Sequence, residues 1–205
     1  VQTCALPIYT VRFRLPFRFG AVTLTEEPQL LVDREIELED GTISRGVAAE
    51  ALSPKWFDKD PDLSDQDNFN QLRTAVDIAA GLYRSAGLET AFGLFLSCYP
   101  EQLSRCEGRG LNHLLAGFGQ AILDRAVLDA LCNALGISFY QAVRNNVPGI
   151  RGASIIPELW DFDMTSFLGS LRPSGSIDVR HTIGLLDPIT SGDLPAGQQI
   201  GRAHV

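Results

Sequence analysis

The spacing of apolar residues changes between positions 52 and 64 of this 205-residue chain, and the change limits the folds that it can adopt. Before position 52, apolar and polar residues alternate, which is the period of a strand with one buried face. After position 64, apolar residues recur at the spacing of amphipathic helices. The sequence therefore predicts strands that precede the helices as a block, instead of alternating with them.

The first part of the chain is predicted to form a small antiparallel sheet. The predicted strands are Tyr9–Phe19, Leu30–Glu39 and Ile43–Leu52. Asp40 and Gly41 form a hairpin turn signal between the last two strands. Pro16 predicts that residues 17–20 lie at a strand end or in a loop, because proline interrupts strand pairing.

Four helices are predicted after the strands. Ser64 or Asp67 is a candidate cap for the first helix, which ends at Gly87. The second helix is predicted to be interrupted or to end near Pro100. The third has the broadest apolar face and stops at Gly136, and a short fourth helix follows.

The segment after Pro148 has little periodicity until Ile177–Ile183, which is predicted to be a buried strand. A single strand is not stable without partners to pair with. We therefore expect this strand to begin a structure that the chain does not contain.

Charge and composition exclude several classes of protein. The formal net charge of −8 argues against nucleic-acid binding, which needs a basic surface to neutralise phosphates. No apolar run has the length of a membrane span. Cys98, Cys106 and Cys132 match no zinc-binding spacing, so we expect buried, reduced thiols in a cytoplasmic protein.

Four stretches carry a resemblance to a known family. "RLPFRFG", "REIELEDGTISRGVAAEALSPKWFDKD" and "LLAGFGQAILDRAVLDALCNALG" together resemble the N-terminal capping domain of the enolase superfamily. The nearest branch is that of mandelate racemase and muconate lactonizing enzyme. "DVRHTIGLLDPI" is similar to the first barrel strand in a subgroup of that branch.

The resemblance implies a two-domain parent protein. Its fold would be an α+β capping domain, with a three-stranded antiparallel sheet plus a helical bundle, followed by the truncated start of a (β/α) TIM-type barrel. Residues 9–149 would form the capping domain, and residues 150–199 would form a linker and the first barrel strand. A barrel needs roughly 250 residues, so we expect this chain to be the N-terminal fragment.

The resemblance also implies that the parent protein is an isomerase or lyase and that it is a homo-oligomer. In this superfamily a divalent metal, Mg²⁺, stabilises the ene-diolate formed when a Lys or His base removes the proton next to a carboxylate. The base and the metal ligands come from later barrel strands. No Lys occurs beyond Lys59, so the fragment is expected to hold no catalytic residue and no metal ligand, and to be inactive alone.

Two capping-domain loops select the substrate, a small carboxylate, in this family. The first matching loop is Pro16–Gly20 with Ala21–Thr23. It contains Phe19 and Arg18, and Arg18 could clamp a distal carboxylate bidentately. The second loop is Leu52–Asp60, where Lys55 and Lys59 would supply charges. The alternative is that the charged side chains are solvated.

Apolar residues of the same loops would exclude water from the substrate. These apolar residues are Phe19 in the first loop and Trp56 and Phe57 in the second loop. The alternative is that Phe19 and Phe57 pack at the domain junction. His181 and Thr182, on the predicted barrel strand, are candidates for lining the pocket, although a buried, hydrogen-bonded histidine is the competing interpretation.

Two further patterns are better explained without function. "GFGQAI" partly imitates a dinucleotide fingerprint, but Ile122 replaces the third glycine and the stretch lies inside a predicted helix. Glu158, Asp161 and Asp163 form an acidic cluster without the spacing of a calcium loop. They are expected to be a solvated face.

The two ends of the chain form a related pair. Residues 1–8 and 200–205 can be encoded by one DNA sequence read on opposite strands, and that DNA resembles a sequencing-library adapter. We expect both ends to be translated adapter, which would remove them from fold reasoning.

A second hypothesis from a different class stays open. The chain could be a non-catalytic α+β module for binding or oligomerisation, with the same order of strands and helices. It predicts a polar surface where the first hypothesis predicts an exposed apolar face, and binding of a hydrophobic dye separates the two.

Overall fold

The computed structural model describes residues 3–5, 7–20, 22–180, 182–194 and 196. Contacts divide the chain into two units. The larger unit contains Pro28–Ser174 with the described residues before Thr10, and the smaller contains Thr10–Glu27 with the described residues from Gly175 onward. The domain boundary predicted between residues 149 and 150 stays a prediction. The adapter origin of residues 1–8 also stays a prediction, and residues 200–205 lie outside the described part.

An antiparallel sheet built around one central strand confirms the predicted three-stranded arrangement. The strands are β1 (Thr3–Ala5), β2 (Ile8–Phe19), β3 (Val22–Glu37) and β4 (Ile43–Ala51). Strand β3 pairs with the other three, so the short β1 is an addition to the predicted set. Strands β3 and β4 pair from Gln29 opposite Ala51 to Glu37 opposite Ile43.

The hairpin between β3 and β4 turns where the sequence predicts it. Gly41 has a φ of 84°, which glycine adopts without strain. The backbone N–H of Gly41 donates to Leu38 O at 2.9 Å, and that of Thr42 donates to Asp40 Oδ1 at 2.9 Å. These hydrogen bonds hold the pattern of an Asp-Gly turn.

Strand β3 is longer than predicted, and β2 is not interrupted at Pro16. Strand β2 continues through Pro16 to Phe19, and the chain reverses at Gly20, where φ is 51°. Strand β3 then begins at Val22 and not at Leu30. The side chain of Leu24 is buried, which gives this extra length of strand an apolar anchor that the sequence pattern did not reveal.

Five α-helices follow the sheet in the described residues. They are α1 (Asp65–Ser85), α2 (Ala91–Glu107), α3 (His113–Leu135), α4 (Phe139–Arg144) and α5 (Met164–Ser170). Ser64 caps α1 in a capping box with Asp67, and Gly136 ends α3 with a φ of 61°.

Helix α2 corrects the prediction made from Pro100. The helix passes through Pro100 and continues to Glu107, although proline removes one helical hydrogen bond. The turn beyond the proline carries Gln102 and Cys106, both fully buried. Burial of that turn against the bundle explains why the helix does not stop.

Helix α3 forms the centre of the larger unit, since it packs on the sheet and on α1. A Cβ at Gly46 of β4 would overlap the backbone of Ala126 and Ala130 in α3. A Cβ at Gly119 of α3 would overlap the carbonyl group of Ala75 in α1. Backbones that approach this closely require glycine at the crossing.

Polar side chains of α3 cover the edge of β4 that does not pair with β3. Asp129 Oδ2 accepts from the backbone N–H of Val47 at 2.8 Å, and Asn133 Nδ2 donates to Arg45 O at 3.0 Å. Such pairing satisfies edge groups that would otherwise be open to another strand.

The predicted strand Ile177–Ile183 is not formed at the residues that the structure describes, 177–180 and 182–183. The apolar side chains of this segment are exposed, and 92 % of the Val179 surface is accessible to solvent. Without neighbouring strands to satisfy its backbone groups, an isolated segment has no reason to keep strand geometry.

Candidate functional site

The predicted residues of the first loop lie in the smaller unit, at the end of β2. The side chains of Phe13, Leu15, Phe17 and Phe19 are half-buried on one face of the strand. Arg12, Arg14 and Arg18 are exposed on the other face, as the period of two requires. The Phe17 and Phe19 rings lie 5.8 Å apart on the half-buried face, and the Arg18 side chain lies on the exposed face between them in sequence.

A backbone hydrogen bond joins this loop to the segment that the sequence analysis assigned to a barrel strand. The N–H of Leu185 donates to Arg18 O at 2.9 Å. Gly184 lies in a turn closed by Asp187, whose Oδ2 accepts from Gly184 N at 2.6 Å. A Cβ at Gly184 would lie only 2.9 Å from both Phe17 Cδ2 and Asp187 Oδ1, so glycine permits this approach.

The two predicted pocket residues of that segment have different outcomes. Thr182 is exposed, three residues before the hydrogen bond to Arg18. His181 lies outside the described residues. The structure therefore brings Thr182 and Arg18 into one unit, and the role of each stays a prediction.

The second loop, Leu52–Asp60, belongs to the larger unit and is fixed at several points. Leu52 is fully buried. The Phe57 ring packs edge-on against Phe118 of α3 with centroids 5.0 Å apart, and Asn112 Nδ2 donates to Phe57 O at 3.1 Å. Phe57 thus packs within its own unit, and the loop is a firm platform for its exposed side chains.

Lys55 supports this loop from within. Its ammonium donates to Asp60 O at 2.7 Å and also to Leu63 O, and its backbone N–H donates to Asn68 Oδ1 at 3.1 Å. The residue has a φ of 58°, a strained value for a side chain of this size. These bonds give Lys55 a structural role that the sequence analysis missed.

Trp56 and Lys59 are the side chains that the platform presents. Trp56 is 61 % exposed and Lys59 is also exposed. An indole held in solvent on an ordered loop is suited to cover an apolar ligand. Their predicted contact with substrate stays a prediction.

The described residues do not fit the divalent metal that the resemblance implies. No group of three or more His, Cys, Asp or Glu side chains in the described part of the chain could hold a metal ion. Asp163 is engaged as the cap of α5. It accepts from Ser166 Oγ at 2.6 Å and from Ser166 N at 2.9 Å, and these bonds lower its pKa.

Sequence reasoning missed a polar cluster inside the helical bundle. Tyr83 of α1 donates its hydroxyl hydrogen to Asp124 Oδ1 of α3, and Gln120 Nε2 donates to Tyr83 Oη at 3.1 Å. Burial raises the pKa of Asp124 to about 6, although the bond from Tyr83 opposes the shift. The signal in the sequence was an Asp placed between the apolar pairs Ile122–Leu123 and Ala126–Val127.

The thiols and the glycine-rich stretch take the structural places expected of them. Cys98, Cys106 and Cys132 are buried and free, and burial raises the pKa of each. Gly119, in "GFGQAI", lies inside α3 at the crossing with α1.

A cavity of about 550 Å³ lies away from the predicted residues. It opens between the end of β3, the connection from α1 to α2, and α3, with Ile36, Leu94 and Val127 on its apolar side and Arg84 among its polar groups. No predicted site residue lines it.

Comparison with protein-family models and with curated proteins gave no match. Within the described residues, no helix is long and apolar enough to cross a membrane.

Proposed function

We propose that this chain is the N-terminal, substrate-covering part of a divalent-metal-dependent enzyme of the enolase superfamily. The reaction would begin with removal of the proton next to the carboxylate of a small substrate, and would end in racemisation, cycloisomerisation or dehydration. The observation that carries the proposal is the hydrogen bond from Leu185 to Arg18. It puts the loop proposed to select substrate beside the segment proposed to enter the barrel.

The fold supports the same proposal. An antiparallel sheet followed by a helical bundle, with α3 packed on β4, is the arrangement that a capping domain of this family requires. The fold alone does not assign an activity, because one architecture serves many functions. The proposed function therefore depends mainly on the residues of the candidate site.

The exposed apolar segment is a second line of support. Ile177, Val179, Ile183, Leu185, Leu186 and Ile189 are all exposed. Soluble proteins rarely leave so many apolar side chains of one segment in water unless another surface covers them. In the proposal, the remaining strands of the barrel cover this segment.

The residues of this chain would bind and shield the substrate. The Arg18 guanidinium offers paired N–H donors to a distal carboxylate. Trp56 would contribute an apolar wall that excludes water and so strengthens the electrostatic contacts of the substrate. The ligands of the Mg²⁺ ion would belong to the part of the parent protein that lies outside this sequence.

The coding DNA beyond the codon of Gln199 tests the proposal. We expect an uninterrupted reading frame with alternating strand and helix patterns, and with acidic residues and a Lys or His at strand ends. A frame that closes there, or that encodes no such pattern, contradicts the proposal. Binding of a hydrophobic dye by the 205-residue chain is the cheaper test, because little binding would favour the non-catalytic module.

The product of that complete reading frame allows the site to be tested by proton exchange. With Mg²⁺ in D₂O, we expect deuterium to replace the α-hydrogen of a carboxylate substrate. Arg18→Ala should slow exchange about tenfold or more for a dicarboxylate, the cost of hydrogen bonds to a charged group. Arg14→Ala, on the same exposed face of β2, is the matched control and should leave exchange unchanged.

A further inference from the structure

The larger unit carries an exposed apolar surface that the proposed substrate site does not use. Five large side chains between residues 155 and 167 are exposed, with Trp160 at 79 %. They are Ile155, Ile156, Trp160, Phe162 and Phe167. We call them the aromatic surface. Such a concentration of apolar side chains in water is typical of an interaction site.

The aromatic surface is ordered by its own packing and hydrogen bonds. A Cβ at Gly152 would touch Leu159 Cδ1 and Met164 Cε at 3.0 Å each, so these two side chains pack beneath the turns. Successive turns are closed by bonds such as Trp160 N to Pro157 O at 3.1 Å. The Phe162 and Phe167 rings lie 5.4 Å apart.

The same segment is anchored to helix α4 of the larger unit. Tyr140 Oη donates to Leu171 O at 3.1 Å, and Arg144 Nε donates to Gly169 O at 3.2 Å. An anchored surface loses little conformational freedom on binding, which favours affinity. The exposure of Trp160 is therefore a property of a folded element.

Charge selects the kind of partner. Glu158 and Asp161 are exposed between the apolar side chains, and neither forms an ion pair within the described residues. The whole chain also carries a net charge of −8. These charges repel nucleic acids, anionic membranes and a second copy of the chain, and attract a basic segment.

We propose that the aromatic surface binds a basic amphipathic helix of a partner protein. The apolar face of that helix packs on Trp160 and its neighbours, and its Lys or Arg side chains pair with Glu158 and Asp161. An amphipathic helix on an apolar surface is a recurring mode of recognition, and Trp is enriched among residues that dominate binding. The inference does not depend on the proposed enzymatic function.

A designed amphipathic peptide of Leu and Lys serves as the probe, with a Leu and Glu peptide of the same pattern as its counterpart. The Trp56→Phe variant leaves Trp160 as the one remaining tryptophan of the two in the chain. We expect the Leu and Lys peptide to shift Trp160 fluorescence to shorter wavelength with saturation, and added salt to weaken the binding. No shift, or equal binding of the Leu and Glu peptide, overturns the proposal.

Anisotropy of a labelled peptide then tests the named residues. Trp160→Ala should weaken binding about thirtyfold, as expected for a dominant contact residue, and the paired change Glu158→Gln with Asp161→Asn should weaken it and reduce its salt dependence. Leu88→Ala removes another exposed side chain, 72 % accessible, and is the control that should bind normally. Unchanged binding by Trp160→Ala contradicts the proposal. So does sedimentation showing that Trp160 holds together a dimer of this chain.

Discussion

The hydroxyl of Tyr83 on α1 donates a hydrogen bond to the carboxylate of Asp124 on α3, inside the helical bundle of the larger unit. Gln120 completes the cluster by donating both to Tyr83 Oη and to Phe95 O, the latter at 2.8 Å. The cluster therefore links three helices, because Phe95 belongs to α2. The protonation state of Asp124 is coupled to the stability of the bundle.

Stability should fall as pH rises through the titration of Asp124. The pKa of Asp124 is about 6 in the folded chain, because burial disfavours the carboxylate, against 3.8 for an exposed Asp. Between these values the folded state binds more protons than the unfolded state, so the free energy of unfolding decreases with increasing pH. The full effect is about 3 kcal/mol, measurable by urea unfolding from pH 4 to 7.

Asp124→Asn isolates this contribution from that of other acids. The difference in stability between the variant and the parent chain should change over the same pH interval and level off above it. Tyr83→Phe removes the hydrogen bond that lowers the pKa of Asp124, so the upper end of the interval should move to higher pH. A pH-independent difference for Asp124→Asn would contradict the assignment.

Glycine is required where α3 crosses the sheet. A methyl group at Gly46 would overlap the backbone of Ala126 and Ala130, and backbone atoms cannot move aside as a side-chain end can. Gly46→Ala should lower the free energy of unfolding by about 1–3 kcal/mol or more, the usual cost of overpacking. Thermal or urea unfolding measures it.

Gly81→Ala is the matched control for that substitution. Gly81 lies in α1, and a Cβ there would meet no atom within 4 Å. Alanine favours the helix by up to about 1 kcal/mol, so this variant should be as stable as the parent chain or more so. Equal loss in both variants would show that the close crossing is not the cause.

Local patterns predicted most of the fold because their causes are local. The Asp40–Gly41 turn, the Ser64 cap and the end of α3 at Gly136 all depend on side chains within a few residues. Pro100 misled because its local cost is outweighed by distant packing of Gln102 and Cys106. Tertiary contacts of that kind leave no local signal.

The sequence predicts which residues form the candidate site, but not the contacts that those residues make. The chemistry of Arg18 and Trp56 could be read from their side chains, and both are exposed as binding would need. The two backbone acceptors of Lys55, and the bond from Leu185 to Arg18, depend on how separate segments meet. The spacing of residues in the sequence does not indicate those contacts between segments.

Lys55 should matter for the stability of its loop more than Lys59 does. Lys55→Met keeps the length of the side chain and removes both bonds from the ammonium to Asp60 O and Leu63 O. Hydrogen bonds from a charged group contribute about 1.5–3 kcal/mol, so we expect a loss of that order in urea unfolding. Lys59→Met, on an exposed side chain of the same loop, should change stability by less than about 0.5 kcal/mol. Equal effects would argue against a structural role for Lys55.

Gly184 should control the contact between the Arg18 loop and the segment that follows Thr182. A methyl group at Gly184 would come within 2.9 Å of both Phe17 Cδ2 and Asp187 Oδ1, so Gly184→Ala should separate Leu185 N from Arg18 O. Amide hydrogen exchange at Leu185 should then become about tenfold faster or more, since roughly 1.4 kcal/mol of lost protection gives that factor. Gly175→Ala, in the same unit and with no atom within 4 Å of the added Cβ, should leave the exchange rate at Leu185 unchanged. Because both variants retain every side chain of the proposed substrate site, an unchanged rate in Gly184→Ala would show that this glycine does not hold the two segments together.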